Sequence, residues 1–379
     1  MAKISRKNDA DDYAFRQTDK DLKELESRLS SLYSDATKEM EAKLNKFTAH
    51  YAKADAEHEA LYQAGKITKN QLTDWRQGKV FMTKKMQAQI DSLAEDMVNT
   101  DKMAMQIVNG EMPRIYVLNY NFQGYRAETM AKASGIDYTS FTIYNADAIA
   151  RIAKENPDLL PAPNPKIDIP KDRRWNRQKI NSAIQQGILQ GEPVTKIADR
   201  LQQVTDMDKN AAIRNARTAL IGAQNSGRNE ASKRVNKSGI EMVDTWAATY
   251  DARTRDTHLD LDGQERAEDG FFHTFRGNKL EYPADRNCRD ASEVYNCRCR
   301  LNSFIKGIDH SKDDELHERF MKENYYEDWL RAKEKEADHS SRTHAKTLEK
   351  EYAKEKKALL SEKYPRQKAE KSSDSLRRK

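Results

Sequence analysis

At 379 residues the chain is long enough for two or three domains, yet 37% hydrophobic against 34% charged residues and a mean hydropathy of −0.99 exclude one large apolar core. No apolar run reaches the roughly 18 to 20 residues of a membrane span, and "MAKISRKNDADDYAF" has no apolar signal stretch, so the expectation is a soluble protein without membrane contact, made in the cytoplasm. The net charge of +6 is uneven: His339 to Lys379 holds 13 Lys and Arg against 6 Asp and Glu, or +7, which leaves the rest at −1.

From Asp19 onward, Leu22, Leu25, Leu29, Leu32, Ala36, Met40, Leu44, Phe47 and Tyr51 follow at steps of three and four. That spacing predicts a long amphipathic helix, packed on the protein's own later helices or on a coiled-coil partner. Gly65 breaks it, and a second helix opens near Thr68. Helical spacing resumes through Met86, Ile90, Leu93, Met97 and Val98 to about Val108, where Asn109, Gly110 and Pro113 are expected to interrupt it. Residues 115–155 read as further helices with turns at Gly124 and Gly135.

The stretch "ENPDLLPAPNPKIDIPKD" holds Pro157, Pro161, Pro163, Pro165 and Pro170, too many for helix or sheet. It reads as an extended connector over 156–171 and as the principal domain boundary, with a helical region at 1–155 before it. Beyond it, residues 172–239 read as three helices ending at Gly239, and "IEMVDTWAATYD" changes to the alternation of a strand. A small irregular β-containing unit is expected over 240–305, within a domain that runs to 309, followed by a charged, basic helical tail over 310–379. The fold class is α+β, predominantly α.

The polar residues concentrate in the β-containing unit. "TWAATYDARTRDTHLDLDGQE" gathers Asp251, Arg253, Arg255, Asp256, His258, Asp260 and Asp262, and "NCRDASEVYNCRCR" holds all three cysteines, Cys288, Cys297 and Cys299. Three clustered cysteines argue against a disulfide framework. Taken in order, Arg217, Thr218, Gln224, Asn225, Gly227 and Arg228, then Trp246, Asp251, Arg253, Arg255, His258, Asp262 and Gly263, then "YPAD" and Asn296, Cys297, Arg298 and Cys299 resemble the phage head morphogenesis family, the Mu F-like minor head proteins. The resemblance covers roughly 172–305. It implies a low-copy structural protein of a tailed-phage head, associated with the portal vertex and packaged DNA, acting in head assembly or genome delivery. The implied partners are the portal protein, the major capsid or scaffolding protein and double-stranded DNA. The implied location is the virion head interior, after assembly in the host cytoplasm.

Three sets of residues carry alternative readings. The Asp and Arg cluster is either a charge-assisted network that shapes a loop, the favoured reading, or a site with His258 as general base, Asp262 or Asp251 orienting it and Arg255 on a phosphate. In the second case Asp251, Asp260 and Asp262 would hold a metal. No GxxxxGK[ST], GxSxG or HExxH motif accompanies them, so no enzymatic activity is expected. Cys288, Cys297 and Cys299, spaced C-x8-C-x-C, are either reduced thiols or, with His258 or His273, a structural zinc set. The tail is either a solvated helix or a nonspecific DNA contact through Lys354, Lys356, Lys357, Arg377, Arg378 and Lys379.

Overall fold

The computed structural model describes residues 11–80, 84–155, 169–190, 192, 194–308 and 314–337. Helix α1 (Tyr13–Gln63) opens at Asp12, whose side chain accepts from the Phe15 amide at 3.0 Å. Leu25, Leu29, Tyr33, Met40 and Leu44 form its buried stripe. After Gly65, at φ +67°, comes α2 (Lys69–Val80). Thr68 and Gln71 cap it reciprocally: the Gln71 amide donates to Thr68 Oγ1 at 3.2 Å and the Thr68 amide to Gln71 Oε1 at 2.8 Å.

Helix α3 (Lys84–Ala133) is one unbroken element of 50 residues, so the expected interruption at Asn109, Gly110 and Pro113 does not occur, nor does a turn at Gly124. A proline inside a helix costs about 3 kcal/mol. Met112, Ile115, Tyr116 and Tyr120 are buried around it, and each buried side chain of that size recovers about 1.5–3 kcal/mol. Packing therefore outweighs the local break signal. The turn at Gly135, at φ +73°, is present. Helix α4 (Ala146–Glu155) follows, with Asn145 Oδ1 capping the Ala148 amide at 2.7 Å.

Helix α5 (Ile169–Leu189) takes Pro170 into its first turn; Pro157, Pro161, Pro163 and Pro165 lie outside the described residues. Helix α6 (Val194–Lys237) fuses two of the expected helices into a single one of 44 residues, since nothing between Val204 and Asp208 breaks helical geometry. It stops at Gly239, φ +89°. Helices α1, α3, α5 and α6 pack on one another, α3 lying along α6. Elements on both sides of the proline-rich stretch thus share one core, and the compact unit runs from Met1 to Lys322 rather than dividing there.

The β-containing unit is strung between α6 and α9 (Asp314–Met321). Strands β1 (Met242–Ala247) and β4 (Arg300–Ile305) pair antiparallel, Met242 opposite Ile305 and Ala247 opposite Arg300. Between them come α7 (Asp256–Asp260), the short hairpin of β2 (Phe272–His273) and β3 (Lys279–Leu280), and α8 (Ala291–Val294). Trp246, Leu261, Phe272, Leu280, Ala284, Cys297, Cys299 and Leu301 form its core around Ile221 of α6. The chain is therefore predominantly helical with a small β unit, as the sequence indicates. Residues 323–337 are helical and begin a second unit, Glu323–Lys379, so the tail departs later than residue 310. Among the described residues no helix is long and apolar enough to cross a membrane.

Candidate metal centre

The singled-out residues of α6 face inward and fasten the fold. Arg217 grips Glu26 of α1 with two nitrogens, at 2.5 and 3.0 Å. The Thr218 hydroxyl accepts from the Asn296 amide at 2.9 Å. Asn225, fully buried, donates to the carbonyls of Pro283 (3.0 Å) and Cys299 (3.1 Å) and accepts from the Leu301 amide (2.9 Å). Gly227 lies against α3, where an added Cβ would stand 2.4 Å from the Tyr116 carbonyl oxygen. Arg228 is buried completely, bonded at 2.8 Å to both oxygens of Asp12 and stacked 3.6 Å from the centre of the Phe15 ring. Arg126 reaches Asp12 as well, at 3.0 Å.

The loop residues satisfy the backbone of an irregular turn. Asp251 pairs with Arg298 and accepts from the Arg253 amide at 2.9 Å, and the Arg298 guanidinium holds its carboxyl well below the usual carboxylate range. Asp262 takes the Ala248 amide at 2.8 Å and the Tyr250 hydroxyl at 2.5 Å. Gly263, at φ +73°, donates its amide to the Trp246 carbonyl at 2.8 Å. Arg255 donates to the Tyr295 carbonyl, and the exposed Asp260 takes a long bond from Gln264. Asp251, Asp260 and Asp262 form no metal-binding group, so the carboxylate cluster of the catalytic reading is not assembled.

Three other side chains do converge. His258 stands on α7, placed by the turn that begins at Asp251; Cys297 and Cys299 stand on the approach to β4, where alternation turns both toward the same side. His258 Nδ1 lies 3.6 Å from Cys297 Sγ and 3.5 Å from Cys299 Sγ. The three donor atoms all fall within 4.8 Å of one another, and each residue is 1% exposed. The Cys297 thiol and the His258 ring hold Cys299 below the usual thiol range, while its shared hydrogen bond with Cys299, together with burial, pushes Cys297 up.

The other ring nitrogen of His258 faces a carboxylate, though without hydrogen-bond geometry. His258 Nε2 is 3.1 Å from Glu293 Oε2, itself buried and held by the Thr257 hydroxyl at 2.8 Å and the Asn278 amide at 3.2 Å. The Trp246 ring abuts the imidazole edge-on, centroids 5.0 Å apart. Cys288 does not join the group: its thiol, half-buried, points to the Asp290 carbonyl at 3.7 Å. His273 is paired instead with Asp269, at 3.0 Å. Sequence reading missed Glu293, Thr257, Asn278 and Asp12, which no spacing motif marks. Lys354, Lys356, Lys357, Arg377, Arg378 and Lys379 lie outside the described residues.

Residues 178–302, which hold both the α6 fasteners and the His258 cluster, match the family described as Phage Mu protein F like protein. Among curated proteins, the minor head protein GP7 of Bacillus phage SPP1 is 25% identical over 290 residues, 76% of this chain and 84% of that protein. The NAD(+)–arginine ADP-ribosyltransferase EFV of Enterococcus faecalis is 33% identical over 155 residues, 40% of this chain but only 31% of the enzyme. No solved structure matches.

Proposed function

We propose that this chain, whose residues 178–302 match the Phage Mu protein F like family, is a structural component of a tailed-phage head that works by binding at the portal vertex, not by turnover. The likeness to the SPP1 minor head protein carries this reading, because it extends over most of both chains and so takes in the helical bundle as well as the matched domain. The bundle is the part that would dock on the portal, with the major capsid or scaffolding protein as neighbours. Burial of His258 leaves it no access to a substrate, and the loop carboxylates are committed to backbone and arginine partners. Both observations favour assembly over catalysis.

Co-expression with the portal protein of the same phage, followed by native mass measurement, tests the proposal. A complex of defined stoichiometry is expected; folded protein that never joins the portal would overturn the placement. The tail, with its +7 over residues 339–379, is proposed to lie against packaged DNA, where lysine and arginine neutralise phosphates irrespective of sequence. Removing 339–379 should weaken DNA binding and flatten its dependence on salt. Equal binding by the shortened chain would remove DNA contact from the tail's role.

A further inference from the structure

We propose that His258, Cys297 and Cys299 hold one zinc ion that staples α7 to the start of β4. The argument begins with distances. Zinc takes sulfur at about 2.3 Å and imidazole nitrogen at about 2.0–2.1 Å in a tetrahedron, which fixes the nitrogen-to-sulfur edge at about 3.6 Å. The two such edges here are 3.6 and 3.5 Å. Both thiols already stand at that edge length from the same imidazole nitrogen, and all three donors lie within 4.8 Å of one another.

Charge and orientation point the same way. Two thiolates neutralise a divalent ion, and a neutral cluster is what a site with ligands 1% exposed can hold without a large desolvation cost. Binding with Nδ1 leaves the proton on Nε2, the nitrogen that faces Glu293 at 3.1 Å. A buried carboxylate therefore stands on the far side of the ring, the position from which an outer partner orients a ligating histidine. Glu293 is in turn held by Thr257 and Asn278, so the carboxylate keeps its place behind the ring. Among the described residues no fourth His, Cys, Asp or Glu joins the three, so the last vertex goes to water or another small donor. The unit that gains the staple has only short strands and a small core, the circumstance in which a metal contributes most to folding.

The test uses the full chain, equilibrated with zinc, desalted, and measured for metal by elemental mass spectrometry and for affinity by competition with a chromophoric chelator. One zinc per chain is expected, with removal by chelator lowering the melting temperature. Cys297→Ser and Cys299→Ser should each lose the ion. Because such variants can also fail to fold, Glu293→Gln provides the second arm: it should keep one zinc at about 10- to 100-fold lower affinity. Cobalt substituted into the wild type should give the thiolate charge-transfer and intense visible bands of a tetrahedral site. Cys288→Ser should bind zinc as the wild type does; its loss of the ion would overturn the three-ligand assignment. Folded wild-type chain that takes up no zinc, or cobalt without a thiolate band, would overturn the proposal.

Discussion

Asn225 satisfies three backbone groups of the β unit with one buried amide. Alanine there strands those groups, at about 1–3 kcal/mol for each that water cannot reach, so Asn225→Ala should lower the unfolding free energy by about 2–4 kcal/mol in urea titration. Asp12 is a sharper case, since it is the anion for two buried guanidiniums. Asp12→Asn leaves Arg126 and Arg228 without it and should cost about 3–5 kcal/mol. Burial pushes the Asp12 carboxyl up, but Arg228 and Arg126 outweigh burial and leave it below its usual range. A depressed folded value means that the contribution is present above the unfolded carboxyl value, near pH 4, and is lost as pH falls through the folded value. The gap between wild type and Asp12→Asn should accordingly narrow below about pH 4 in unfolding titrations at successive pH values.

At the scale of elements, two glycines in long helices separate local propensity from packing. Gly110 in α3 is exposed with nothing within 4 Å of an added Cβ, so Gly110→Ala should raise stability by about 0.5–1 kcal/mol. Gly227 in α6 meets the α3 backbone at Tyr116, which cannot swing aside, so Gly227→Ala should destabilise by about 1–3 kcal/mol or more. Opposite shifts in melting temperature are the expected result. The same contrast explains what could be read in the sequence. The α1 stripe, the Thr68 cap, the Gly135 and Gly239 stops and the β1 alternation are written in neighbouring residues. The continuity of α3 through Pro113 is not, because it depends on partners that the chain brings from far away. The site divides likewise: His258 and the Cys297–Cys299 pair are visible as types and spacing, whereas Glu293 becomes a partner of His258 only once α8 is folded beside α7. Cys288, outside the family motif, entered the candidate zinc set by spacing alone, and spacing carries no direction.

For the whole molecule, the proline-rich stretch that resembled a boundary joins halves that hold each other. Glu26 of α1 receives Arg217, Asp12 receives Arg228, and Asp11 and Asp19 receive Arg300 at 3.3 and 2.6 Å. A fragment starting at residue 172 would expose the α6 face and strand Arg228, so it should show helix by circular dichroism but rapid, unspecific cleavage by protease. Residues 11–322 should resist protease and unfold in one transition. Equal protection of the two fragments would mean that the matched domain folds alone.

The clasp between the first turn of α1 and its arginines also sets a clock. Asp12 is separated from Arg228 by 216 positions and Asp11 from Arg300 by 289. Synthesis at about 5–20 residues per second therefore puts about 15–60 s between the appearance of the acids and that of their last partner. During that interval Arg300 cannot yet pair with Asp11 and Asp19, although Arg16 and then Arg126 and Arg228 already answer the first acids. A growing chain therefore holds its first acids with local and helical partners alone, and the last clasp closes only when β4 has been made.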